Sequence, residues 1–179
     1  MNPSMQAWQI VLLVIVVLLF FYVGVLIYVM SMVRVFRSRL RKRLIAMSVL
    51  LSEKKEMLLA INYEFKKSKV KLDKADQKLY DQVQFLKISE LKDVQIAPAS
   101  QILKDAQNRL NFVAQINPWA TKSEEYQTYA NSIHDIDVNF RQNIVLYNSD
   151  LNGYNYWVAV PACRWFAYIF GNRKKQPLN

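Results

Sequence analysis

The sequence predicts an all-α protein in which an N-terminal transmembrane helix continues into an elongated antiparallel helical bundle. Three observations carry that expectation. Residues 10–33 form a single apolar run, broken only by Ser31 and the tyrosines. Neither glycine nor proline occurs between Gly24 and Pro98, so no strong helix breaker lies there. Beyond the run, apolar residues recur in steps of three and four, the spacing of one helical face, and no stretch alternates with the period of a strand.

The apolar run comes first. Roughly 20 apolar residues rising 1.5 Å each cross a bilayer core, and residues 8–33 suffice. A cleaved signal peptide would need a basic leader, a shorter apolar core and a small-residue cleavage site. Residues 1–7 carry no charged side chain, and arginines follow the run, so an uncleaved anchor is expected. The basic cluster Arg34, Arg37, Arg39, Arg41, Lys42 and Arg43 lies just past the span. The positive-inside rule then puts residues 34–179 in the cytoplasm and leaves 1–7 as a short extracytoplasmic N-terminus. Trp8 and Tyr28 suit the two interfaces. The net charge of +10 fits a domain held against anionic lipid headgroups, where each nearby Lys or Arg contributes about 1 kcal/mol. A basic cluster also suits nucleic acid. Its place beside a membrane span favours orientation and lipid contact, and nucleic acid is not an expected partner.

The bundle is expected over residues 34–160. Leu40, Leu44, Met47, Leu51, Leu58, Ile61 and Phe65 form an apolar seam with a skip at Lys54, so the membrane helix should run on to about Lys69. The charged stretch 66–76 is the candidate turn. A second helix carries Leu72, Leu79, Val83 and Leu86 and ends before 93–100, where Pro98 should stop it and Ser100 should cap the next. The third helix then starts at Gln101, with Ile102, Ala106, Leu110 and Val113 on one face. After the turn at 116–125, Ser123 is the expected cap of a fourth helix, with Glu124 and Glu125 placed to favour its dipole. That helix has the longest pattern: Tyr126, Tyr129, Ile133, Ile136, Phe140, Ile144, Tyr147, Leu151, Tyr154 and Val158. Four heptads of coiled-coil-like spacing mark a long packed helix. Gly153 costs it about 1 kcal/mol relative to alanine, which suggests close packing there. Pro161 ends it, and residues 161–179 form an aromatic and basic C-terminal segment. With alternating helix directions, that segment would end near the bilayer, where Trp165, Phe166, Tyr168, Ile169 and Phe170 suit the interface; the alternative is that these aromatics cap the bundle core.

Chemistry is sparse. His134 is the only histidine, and Asp137 shares its face, but position 131 is Asn, so the Glu-x-x-His pairs of di-metal bundles are missing. It reads as a solvated helix position. Three glycines leave no room for a phosphate-binding loop. Cys163, the single cysteine, can form no intramolecular disulfide and reads as a small packed residue. No catalytic residue, cofactor or metal is expected, and the chain is not expected to be an enzyme.

Tyr147-Asn148 and Tyr154-Asn155 repeat one aromatic–amide pair at one heptad. Both tyrosines then fall on one stripe and both asparagines beside them. The expectation is a packing face, its tyrosines in the core and its asparagines bonded across to another helix. With Leu151, Val158, Pro161 and Phe170-Gly171, these residues resemble the C-terminal pattern of the LemA family, bacterial membrane-anchored helical proteins. Residues 42–51 are similar to its Arg-Leu-Ile-Pro stretch, with Ala46 at the proline. Ile116 to Pro118 fall where the family often has a Tyr-Pro turn. Ile144 to Leu146 stand where it usually has an arginine. The resemblance implies an antiparallel all-α bundle with very long helices, in a bacterial inner membrane. The function expected is a non-enzymatic scaffold or adaptor touching anionic headgroups and a protein partner not named by the sequence. The alternative is a self-associating membrane-remodelling or envelope-assembly subunit, a homo-oligomer.

Overall fold

A computed structural model describes residues 3–88, 93–161 and 164–178, and within them the side chains of all but residues 3–6 and 93. Among these residues five α-helices follow in order: α1 Pro3–Lys67, α2 Lys74–Phe85, α3 Asp93–Ile116, α4 Glu124–Ala159 and α5 Arg164–Ile169, with a 3-10 turn at Ala120–Lys122. No strand occurs among the described residues. The fold is all-α, and the apolar run and the seam that follows it are one uninterrupted helix, as the missing breakers require.

The chain divides into two compact units. In the first, the segment ending at Arg39 lies with Asp150–Gln176. Val29 and Val33 are buried there, whereas residues 7–21 are exposed on every side. Tyr28 meets Trp157 edge-on at 5.6 Å. Gly153 faces Phe36: a Cβ added to it would lie 2.6 Å from Phe36 Cζ, well inside van der Waals contact. Pairing 28 with 157 and 36 with 153 means that α1 and α4 run antiparallel.

The second unit is built from Leu40–Ser149 with Pro177 and Leu178. Its core is the expected seam: Met47, Leu51, Leu58, Ile61 and Phe65 from α1, and Ile133, Ile136, Phe140 and Tyr147 from α4, all buried. Phe65 stacks on Tyr126 at 5.7 Å, and Lys54 reaches Asp137, so the helices are antiparallel here too. Helix α1 ends by a Schellman motif: the Val70 N–H donates to the Phe65 carbonyl and the Lys69 N–H to the Lys66 carbonyl. Lys69 takes φ +57°, a left-handed conformation that glycine adopts at lower cost.

Expectations for the second and third helices need correction: Leu72 and Leu86 lie just outside α2. Helix α3 begins at Asp93, so Pro98 neither stops the preceding element nor leaves Ser100 to cap the next. Proline removes one helical bond and crowds the carbonyl four residues back. Against that, Ile96 and Ala99 are buried in line with Leu103, Ala106, Leu110 and Val113. Extending the helix through Pro98 places both in the core. The buried residue in the next turn is Leu103, with Ile102 half-buried. The Ser123 cap is as expected: its hydroxyl accepts from the Tyr126 N–H at 3.1 Å.

Candidate functional site

The two charged side chains buried among the described residues, Lys54 and Asp76, tie helices together. At the skip in the seam, Lys54 is 5% exposed and its ammonium lies 2.6 Å from Asp137 Oδ1. Gln107 of α3 donates to the other carboxylate oxygen at 3.0 Å. One carboxylate thus ties three helices. The neighbouring Lys55 donates to the carbonyls of Gln84 and Leu86, capping the C-terminal end of α2. At the other end of α2, Asp73 accepts from the Asp76 N–H at 2.7 Å as N-cap. Arg109 of α3 bonds both Asp73 and the buried Asp76. The Asp76 N–H, helped by Arg109, holds the Asp73 carboxyl below its ordinary range. Burial and the Asp76 charge push the Tyr80 hydroxyl well up, so it stays neutral.

His134 and Asp135 are exposed, and Asp137 is committed to Lys54 and Gln107. Among the described residues no three His, Cys, Asp or Glu side chains gather as a metal site. Cys163 lies outside the described residues.

The basic cluster lies along α1. Arg34, Arg37, Arg39, Arg41 and Lys42 are exposed, and Arg43 is half-buried. In the first unit, Arg39 lies over the Phe36 ring at 5.3 Å and 3.9 Å from Asp150. Burial pushes the Tyr154 hydroxyl up, with Arg37 opposing.

The Tyr-Asn face divides by residue type. Tyr147, Leu151 and Tyr154 are buried in the α4 seam, as expected. The asparagines bond tail backbone, where a bond to another helix was expected. In the first unit, Asn155 Nδ2 donates to the Lys175 carbonyl at 2.9 Å and its Oδ1 accepts from the Lys175 N–H at 3.0 Å. In the second, Asn148 makes the same pair with Leu178, at 2.8 and 3.0 Å. The carboxamide carries one donor edge and one acceptor edge, and so closes a ring with both backbone groups of one residue. Sequence reasoning missed this because the partners are backbone groups; the heptad between the two amides was its only trace.

Within the first unit, Pro161 and Gly171 precede the Lys175 backbone that Asn155 bonds. Pro161 is exposed just past the end of α4. Gly171, at φ +71°, closes α5 by a second Schellman motif: the Asn172 N–H donates to the Ala167 carbonyl and the Gly171 N–H to that of Tyr168. Between the end of α4 and α5 opens a cleft of about 740 Å3. Val158, Pro161, Trp165 and Tyr168 form its apolar walls, and Arg164, Arg173 and Lys174 add positive charge. Arg173 lies over the Tyr168 ring at 5.1 Å. Trp165, Tyr168, Ile169 and Phe170 are all more than half exposed.

No family model, curated protein or solved structure matches the chain.

Proposed function

We propose that this protein is a non-enzymatic, single-pass, membrane-anchored helical scaffold of LemA type, in a bacterial inner membrane with residues 34–179 on the cytoplasmic side. The observation that carries the reading is the bare apolar stretch of α1. It is long and apolar enough to cross a membrane, reaches a mean hydropathy of 3.4 over eighteen residues, and has none of that window buried. Trp8, Phe20 and Phe21 are each more than two-thirds exposed. In water such a surface far exceeds what a soluble monomer leaves uncovered; a bilayer accounts for it.

A span of about 20 residues begun at Trp8 ends beside Tyr28, which packs on Trp157. That depth suits an aromatic interfacial belt. The exposed aromatics of α5 and the charges of Arg164, Arg173 and Lys174 follow in the same unit. With the exposed arginines of α1, they offer an anionic leaflet both apolar wedges and cations. The Tyr-Asn face supports the LemA-type reading, because its repeat has a structural role at both asparagines.

Topology reporters test the reading. Fusions after Asn179 should be active with a reporter that works only in the cytoplasm and silent with one that works only outside. Alkaline carbonate should leave the chain in the membrane pellet. External activity would reverse the orientation, and carbonate extraction would remove the anchor.

A further inference from the structure

The cleft between the end of α4 and α5 lies wholly within the first unit, since every residue that lines it falls between Val158 and Lys174. Its volume of about 740 Å3 is in the range of sites that hold a small molecule. Three cations line it: Arg164, Arg173 and Lys174. No acidic residue follows Asp150 in the sequence, and none of the three has an ion-pair partner among the described residues. Arg173 is braced on the Tyr168 ring, 5.1 Å from its centroid. A guanidinium so placed offers a phosphate its paired N–H groups.

The rest of the lining is of two kinds. Val158, Trp165, Tyr168 and Ile169 are apolar walls, and the last three are more than half exposed. Asn172 is polar and only 6% exposed. Its backbone N–H is taken by the Ala167 carbonyl, while its carboxamide has no hydrogen-bond partner among the described residues. A buried amide left unbonded is costly, and this one lines the cleft. Depth narrows the choice of ligand. Val158 follows Trp157, whose ring meets Tyr28 edge-on. In the membrane reading proposed above, Tyr28 marks the end of the span, so the cleft opens where acyl chains give way to headgroups. A ligand that satisfies cations, apolar walls and depth together has an anionic end and a hydrocarbon end. A soluble anion lacks the second, and a neutral lipid lacks the first.

We propose that this cleft binds one anionic phospholipid, with its phosphate held by Arg164, Arg173, Lys174 and the Asn172 amide, and its upper acyl chain lying against Val158, Trp165 and Tyr168. The proposal rests on the membrane reading and goes beyond it. Diffuse attraction to an anionic leaflet needs only net charge. A built site saturates, holds a single lipid, and discriminates between headgroups at Trp165.

The test uses the full chain in phosphatidylcholine nanodiscs that carry a minor fraction of phosphatidylglycerol brominated on its acyl chains. Bromine quenches a tryptophan only at close range, so the quenching seen in the parent and missing from Trp165→Phe reports the cleft. Brominated phosphatidylglycerol should quench Trp165, and unlabelled phosphatidylglycerol should relieve the quenching and saturate. Brominated phosphatidylcholine at the same fraction should quench far less. Arg164→Gln/Arg173→Gln should weaken phosphatidylglycerol binding by about fivefold for each cation removed. Lys104→Gln/Lys122→Gln, which takes the same charge from exposed positions of the other unit, should leave it unchanged. Asn172→Leu keeps every cation and should weaken binding by about tenfold, the order of one hydrogen bond to a charged group. Circular dichroism checks that each variant remains helical. Equal quenching by the two brominated lipids overturns the site. Headgroup selectivity that survives Arg164→Gln/Arg173→Gln overturns the cleft as its source. Relief of quenching by soluble glycerol phosphate overturns the lipid and leaves a site for a free phosphate ester. Full binding by Asn172→Leu overturns the part given to the amide. The anchor is judged apart: a chain that stays in the carbonate pellet but fails to discriminate lipids loses the site and keeps the membrane reading.

Discussion

Lys54 interrupts the apolar seam of α1 and Gly153 lies beside that of α4, and the protein answers them in opposite ways. At Lys54 the seam of α1 admits a charge, and Asp137 and Gln107 arrive from two other helices to neutralise and bond it. At Gly153, beside the seam of α4, the helix gives up a side chain, and the Phe36 ring occupies the space. The first interruption fixes which helices meet and at what height, because one carboxylate satisfies the ammonium. The second fixes how closely two helices approach. Charge specifies a partner, whereas absence of a side chain specifies only a distance.

The largest test of this contrast is at Asp137. Replacing it with alanine leaves the Lys54 ammonium buried and unpaired, and removing one partner of a buried pair costs about 3–5 kcal/mol. Chemical denaturation of Asp137→Ala should show a loss of that size. The double variant Lys54→Met/Asp137→Leu should recover most of it, since well-packed apolar replacements of a buried pair are often neutral or better. A loss below about 1 kcal/mol, the range of exposed pairs, would mean that water reaches Lys54 and that the charge specifies nothing.

Gly153→Ala comes next. Alanine gains about 1 kcal/mol of helix propensity, while overpacking costs about 1–3 kcal/mol, so the net should be a modest destabilisation. In a Phe36→Ala background the clash is gone, and the same change should stabilise by about 1 kcal/mol. The sign change between backgrounds, read from melting temperatures, is the measurement. Destabilisation in both would show that Phe36 is not what requires the glycine.

These two sites also mark how far the sequence can be read. The long stripe of α4 and the Ser123 cap were legible because period and cap chemistry are local. Lys54 was legible as a gap in the seam, but its partner lies 83 residues away, and no local signal links the two. Pro98 misled because its local cost is real and is outweighed by the burial of Ile96 and Ala99, which depends on neighbours in space. The Tyr-Asn face was half legible: tyrosines at helical spacing belong in a core, but an amide does not announce whether it will bond a helix or a strand of backbone.

The smallest effect separates charge from burial. Asp73 also pairs with a cation, Arg109, at 2.7 Å, yet its side chain is 54% exposed, against 20% for Asp137. If burial is what makes a charge decisive, Asp73 should matter little, and its contribution should be legible only through pH. Its folded pKa lies below the ordinary 3.8, chiefly because the carboxylate accepts from the Asp76 N–H. The unfolded chain therefore binds the proton more readily than the folded one, and acid favours unfolding. The stabilisation is complete well above pH 3.8 and is lost as pH falls through the lowered folded value. Asp73→Asn keeps an oxygen for the Asp76 N–H but cannot ionise. Its melting temperature should lie slightly below that of the parent near neutral pH and converge on it in acid. A gap that persists unchanged in acid would assign the role of Asp73 to the shape of the cap, with its charge contributing nothing.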